Sequence, residues 1–301
     1  MIQSAPSGDR LALGVAMIMA TTLIFAVQDA ITKHLVANYP VASIVLVRYC
    51  AFAAFGISFA VRRAGIGPVM RSSRPLLQVA RGIVLLLEIA LMAMAYRTLG
   101  LAESMTLFQC YPLIATALAG ILLRETIGWR RWTSLVVGFL GIVIILRPGL
   151  DVVEIGAIYT LVAALLYAIY QILTRLCGNQ DSPSTSFFYV CVVGAVIMTA
   201  TAPWTWTNFE SEDALWLALL CVMSMAGHYC LITALSIAPA AFLQPFNYFQ
   251  LVWAVVVGWV VFRDMPDGRS FIGGILVVGS GLFVAYRERV RQQSNSSCNT
   301  I

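Results

Sequence analysis

The sequence has 301 residues, of which 60% are hydrophobic and only 11% charged, with a formal net charge of +5 and a mean hydropathy of +0.86. An ordinary soluble domain carries about 25% charged residues, so a water-soluble globule is excluded. The charges are also clustered, leaving repeated stretches of about 18 or more nearly uncharged residues, each long enough to cross about 30 Å of hydrocarbon as a helix. Barrel strands would show segments of about 10 residues with strict alternation, whereas these segments are apolar all round.

Cutting the chain at its charges and turn residues predicts ten helical spans, at 11–32, 40–61, 75–96, 100–123, 132–146, 155–176, 184–204, 213–236, 239–262 and 271–286. The first follows a short polar segment ending in Asp9 and Arg10 with no small-residue cleavage site behind it, which predicts a retained helix rather than a signal peptide. Connections are short, and only the tail after Arg291, QQSNSSCNTI, has the composition of a disordered segment.

Lys and Arg are retained on the cytoplasmic side of a membrane. With the amino terminus inside, 12 basic residues fall inside, among them Arg62, Arg63, Arg71, Arg74, Arg124, Arg130 and Arg131, against five outside. Both termini are therefore expected in the cytoplasm of an inner-membrane protein, and the positive charge needs no nucleic-acid partner. Seven cysteines, five of them inside apolar spans, read as small apolar residues; with only His34 and His228 in the chain, no metal site, cofactor or phosphate-binding loop is expected.

An internal repeat organises the chain. Residues 95–125 align without a gap on 234–264 at an offset of 139, matching Ala102 to Ala241, Ala115 to Ala254, Arg124 to Arg263 and Glu125 to Asp264. The opening helices align from Gly14 on Gly156, pairing Thr32 with Thr174 and Lys33 with Arg175. The expected architecture is an all-α integral membrane protein with ten transmembrane helices in two five-helix repeats, 1–150 and 151–290, followed by a disordered cytoplasmic tail, 291–301. Five is odd, so the second repeat enters the membrane inverted, and two such halves can exchange conformations about a site between them.

The segment AESMTLFQCYPLIATALAGILLRE followed by RRWTSLVVGFLGIVIIL resembles the fourth and fifth helices of the drug/metabolite transporter superfamily, EamA type. Pro112, Glu125 and Gly138/Gly141 match its pattern in the first half, Asp264 and Gly273/Gly274/Gly281 in the second, and Arg48 is similar to its second-helix arginine. Within the superfamily the chain resembles the YddG-type amino-acid exporters most. The resemblance implies secondary or facilitated export of small metabolites, amino acids first, by alternating access and without enzymatic chemistry. A carrier of nucleotide sugars or phosphorylated metabolites would need more inward-facing Lys and Arg than Arg48, Arg81 and Lys33; a membrane-embedded enzyme would need a converging nucleophile, acid and base.

Ionisable groups inside apolar spans are costly and are functional candidates by default. Asp29 and Lys33, four apart on the first helix, are expected to pair with each other. Arg48 and Arg81 are expected to anchor the fold on backbone carbonyls or on a carboxylate such as Glu88. Glu88 aligns with Gly227, one residue from His228, so these two are candidates for substrate or proton handling at matched depths.

The fourth and ninth helices carry polar stripes, Thr106, Gln109 and Tyr111 in one and Gln244, Asn247, Tyr248 and Gln250 in the other, whose amides suit a zwitterionic ligand. Tyr96, Phe108, Tyr167, Tyr229, Phe246 and Trp253 are aromatic candidates for its side chain or ammonium. Ala115/Ala119 and Ala254/Gly258 are small-residue pairs that permit close helix packing within an expected monomer. Trp204 and Trp206 are expected as interfacial anchors.

Overall fold

The computed structural model describes residues 8–122, 129–146, 155–178, 180–237 and 243–298. No strand occurs among them. In chain order the helices are α1 (Gly8–Asn38), α2 (Val41–Ala64), α3 (Ile66–Met70), α4 (Pro75–Thr98), α5 (Leu101–Phe108), α6 (Tyr111–Leu122), α7 (Trp129–Leu146), α8 (Ile155–Gly178), α9 (Pro183–Thr205), α10 (Ser211–Ile237), a 3-10 turn (Gln244–Tyr248), α11 (Phe249–Phe262) and α12 (Gly268–Cys298). Six segments among the described residues are long and apolar enough to cross a bilayer, over 12–38, 41–58, 75–98, 101–121, 155–174 and 184–205, and shorter apolar helices cover 132–146, 246–262 and 268–284. This is a multi-pass membrane protein. The expected span 213–236 falls on α10.

Each helix keeps its backbone bonds within itself, as hydrocarbon requires, and its outer side chains need no water. Val136, Phe139, Leu140, Val143, Phe271 and Ile275 are each at least 48% exposed, an outer face of α7 and α12 suited to lipid. Helices pack in pairs, α1 on α10, α4 on α8, α2 on α9 and α7 on α12. Lipid is as apolar as the side chains, so close approach of small residues supplies much of the attraction. At Gly141 and Gly273 a Cβ on either glycine would lie 2.8 or 2.6 Å from the other's carbonyl oxygen; only a residue without a side chain lets α7 and α12 touch backbone to backbone. Gly258 of the expected small-residue seam lies against Ala102 of α5.

Three expectations are corrected. The span 100–123 is two helices, because Pro112 has no amide hydrogen to give the carbonyl four residues earlier and the chain leaves helical geometry at Gln109, with φ −64° and ψ 0°. In the span 239–262, residues 239–242 lie outside the described residues, and Gln244–Tyr248 forms a 3-10 turn around Pro245 before α11 begins. Beyond Arg291 the chain is helical through Cys298, since no Pro or Gly there interrupts the helix begun at Gly268.

On one face the connection before α4 is tied to the connection after α8. Asp181 accepts hydrogen bonds from Ser72 Oγ at 2.5 Å, the Ser73 amide at 2.8 Å and Gln78 Nε2 at 2.8 Å. Burial by itself would raise the Asp181 carboxyl, but these donors outweigh it and hold the group below its ordinary value. A depressed folded-state value stabilises the fold above the unfolded value, about pH 3.9, and that contribution is lost as pH falls through the folded value. Asp181→Asn is thus expected to lower the melting temperature of solubilised protein near neutral pH and to reduce its sensitivity to acidification. Melting curves from about pH 7 to about pH 3 check this; parallel pH profiles for variant and wild type contradict it.

Candidate functional site

A cavity of about 340 Å³ lies between α1, α2, α4, α5, α6, α8, α10, the 3-10 turn and the start of α11, within the size range of small-molecule sites. Both interrupted spans reach it. Phe108 and Tyr111 flank the α5–α6 break, and Asn247 and Gln250 flank the 3-10 junction. Irregular backbone at membrane depth is tolerated where it lines such a cavity.

One wall is aromatic. Tyr167 meets Tyr111 edge-on at 4.7 Å between ring centroids, stacks on Tyr170 at 5.7 Å and 24°, and contacts Phe108 at 5.5 Å. Such a continuous aromatic surface is suited to a planar ring.

Polar and charged groups line other parts of the cavity. Gln250 Nε2 donates to Asp29 Oδ2 at 3.2 Å. Ser224 Oγ donates to Gln28 Oε1 at 2.6 Å. His228 Nδ1 lies 2.9 Å from the Ser224 carbonyl; a carbonyl only accepts, so this nitrogen carries the proton and Nε2 remains free to accept in the neutral ring. Phe25 and Phe52 meet the imidazole edge-on at 5.3 and 5.2 Å. Arg48 lies over the Phe52 ring at 5.5 Å, and its charge acts on both Asp29 and Glu88. Thr21, Thr32 and Thr174 donate their hydroxyls to their own helices, to Met17, Gln28 and Tyr170 carbonyls, so they present acceptors to the cavity.

Of the residues expected from sequence, the cavity gathers Asp29, Arg48, Glu88, Tyr96, Phe108, Tyr111, Tyr167, His228, Asn247 and Gln250. Others face elsewhere. Gln109, at the break between α5 and α6, is buried but does not line the cavity. Tyr248 points at Gly281, whose added Cβ would collide with the Tyr248 hydroxyl, and Trp253, a further turn along α11, has drifted off the Asn247–Gln250 side. The Gln244 and Tyr229 side chains lie outside the described residues. Arg81 donates to the Ser186 carbonyl and, at 3.4 Å, to Thr174 Oγ1, the anchoring role expected of it. The expected Asp29–Lys33 pair does not form, because each has a partner on the second half of the chain. Gln28, Thr21 and Thr32 were not among the expected residues, although spacings of seven and four place them on one face of α1 with Asp29, a signal readable in the sequence.

Lys33, next to the lining residue Thr32, belongs to a cluster with Asp264 and with Leu101, one turn before the lining residue Met105. Asp264 Oδ2 accepts from Lys33 Nζ at 3.0 Å and from the Leu101 amide at 3.0 Å. Arg263 in the left-handed region, φ 56°, turns the chain so that Asp264 follows directly, and Gly100 leaves the space its carboxylate fills, since a Cβ there would lie 2.4 Å from Oδ2. Gly100→Ala and Asp264→Asn each disrupt the same charge-assisted contacts and are expected to cost about 1–3 kcal/mol. A double-mutant cycle read by thermal melting checks this: the double variant should be little worse than either single one, and full additivity would show that the two residues act separately.

The model of the EamA-like transporter family matches the chain twice, over residues 12–147 and 154–286. A riboflavin transporter of Vibrio cholerae is 28% identical over 91% of this chain and 93% of its own. An S-adenosylmethionine uptake transporter of Rickettsia prowazekii is 27% identical over 75% of this chain and 76% of its own. A solved structure shares the fold, with a TM-score of 0.60 and 15% identity over 93% of this chain and 98% of that one. The names of these relatives point to riboflavin and S-adenosylmethionine, where the resemblance in the sequence pointed to amino-acid export.

Proposed function

This chain belongs to the EamA-like transporter family, and from that premise we propose an inner-membrane carrier whose central cavity opens alternately to the two sides and moves a small metabolite bearing a planar heteroaromatic ring. The observation that carries the ring is the Phe108–Tyr111–Tyr167–Tyr170 wall. Riboflavin and S-adenosylmethionine, for which the relatives are named, both contain fused heteroaromatic rings. Uptake is the direction we infer, on the name of the second relative. Export of aromatic amino acids is a second reading, favoured by the charged groups in the same cavity. Neither reading involves a chemical step, and a monomer suffices because one chain encloses the site.

Alternating access rests on ten spans in two inverted halves. The family model's two matches and the packing support it: α1 on α10 corresponds to α8 on α4, α1 on α11 to α8 on α6, and α2–α9 and α7–α12 each to itself when the halves are exchanged. A rearrangement that opens one end of such an assembly has a mirror that opens the other. We propose that the Lys33–Asp264 end faces outward, as the distribution of Lys and Arg requires.

Tyr167→Ala is expected to weaken binding of a ring-bearing substrate by roughly 10-fold to 100-fold, the loss of about 1–3 kcal/mol of stacking, with the protein still folded. Uptake of labelled riboflavin and S-adenosylmethionine into proteoliposomes, with saturation curves for both proteins, checks it; unchanged curves place the ring elsewhere. For orientation, an impermeant thiol reagent applied to intact cells should label a single cysteine introduced at Met265 and spare one at Arg71. The reverse pattern inverts the topology.

A further inference from the structure

Two ionisable side chains in the cavity are left open. Arg48 and Glu88 each line it, each is only 7% exposed, and among the described residues the ion pairs are Lys33–Asp264 and His34–Asp213, neither of which includes them. Arg48 Nε is buried with no acceptor, and the ring of Phe52 covers one face of the guanidinium without accepting its edge hydrogens. Asp29 differs, because Gln250 already donates to its carboxylate. Arg48 cannot shed its charge by losing a proton, and a buried cation without a partner is strongly destabilising, so it calls for an anionic group on a ligand, while the unpaired Glu88 carboxyl in the same cavity can meet a ligand cation.

We propose that Arg48 and Glu88 are the two halves of a receptor for a zwitterionic α-amino-acid head group, on the same ligand whose ring lies against Tyr111 and Tyr167. The guanidinium, a planar fork of donors, takes the ligand carboxylate in a bidentate pair. Glu88, an acceptor when ionised, takes the α-ammonium. Asp29, a second carboxyl lining the cavity, is held by its hydrogen bond from Gln250. The inference rests on the proposed role of the cavity as the transport site and narrows its substrate to ring compounds that carry an amino-acid group. S-adenosylmethionine meets this description and riboflavin, which has no amino-acid group, does not.

The test is calorimetric titration of the full-length protein in lipid nanodiscs with five ligands: S-adenosylmethionine, S-adenosylhomocysteine, 5′-methylthioadenosine, riboflavin and methionine. The first two share the head group, and methylthioadenosine keeps purine, ribose and sulfur but lacks it. Wild type should bind the first two about tenfold or more tighter than methylthioadenosine. Glu88→Gln and Arg48→Lys should each remove most of that preference while leaving methylthioadenosine binding nearly unchanged. A merely structural role would weaken all ligands in parallel and overturns the inference. Equal wild-type affinity for S-adenosylmethionine and methylthioadenosine overturns it as well, whatever the variants do, as does binding of none of the five. Tight methylthioadenosine and riboflavin binding without head-group preference leaves the ring reading standing and sinks this one; methionine binding as well as S-adenosylmethionine, with no binding of methylthioadenosine or riboflavin, does the reverse.

Discussion

Hydrocarbon offers no hydrogen bonds to the backbone, and the rest of the structure follows from that constraint. Helices satisfy their own amides and can therefore face lipid on one side with Phe139, Val143 or Phe271. The helix may be interrupted only where other polar groups or water are at hand. Both interruptions, at Gln109–Cys110 and at the 3-10 turn around Pro245, occur beside the central cavity. The cavity and the breaks thus depend on each other: polar surroundings permit the breaks, and the breaks bring Phe108, Tyr111 and Asn247 to its wall.

Charge is used sparingly and in two ways. At the ends of the bundle it is satisfied by donors from distant parts of the chain, as at Asp181 with Ser72, Ser73 and Gln78, or at Asp264 with Lys33 and the Leu101 amide. These contacts join the two halves outside the cavity. Inside it, Arg48 and Glu88 belong to neither of the ion pairs found among the described residues. A closed ion pair there would fill the space with its own attraction; unpaired groups preserve a site that a ligand can complete.

Packing in lipid gives small residues a part that large ones have in water. Gly141 against Gly273 lets α7 and α12 meet at their backbones, and Gly100 admits a carboxylate that any side chain would displace. Between these fixed contacts lies an aromatic wall whose residues come from three segments, α5, α6 and α8. No single helix could present four rings in one connected set of contacts at one place, which is why the wall belongs to the assembled bundle.

The sequence by itself determined the apolar helical spans, the internal repeat, the family pattern around Pro112 and Asp264, and most of the ionisable residues that the cavity gathers, because hydrophobic length, charge cost and self-similarity are properties of local sequence. Tertiary structure decided the partners. Asp29 and Lys33 lie four apart on one helix, yet each is held from the other half of the chain, by Gln250 and Asp264 respectively; spacing shows what a pair can do and not what competes for it. Gln109 and Tyr248 read as members of polar stripes but do not line the cavity, and which residues do depends on how proline-interrupted backbone packs against its neighbours. Which ionisable groups remain open, Arg48 and Glu88, is likewise a fact of three dimensions, since an unmet hydrogen-bonding group is defined by everything around it.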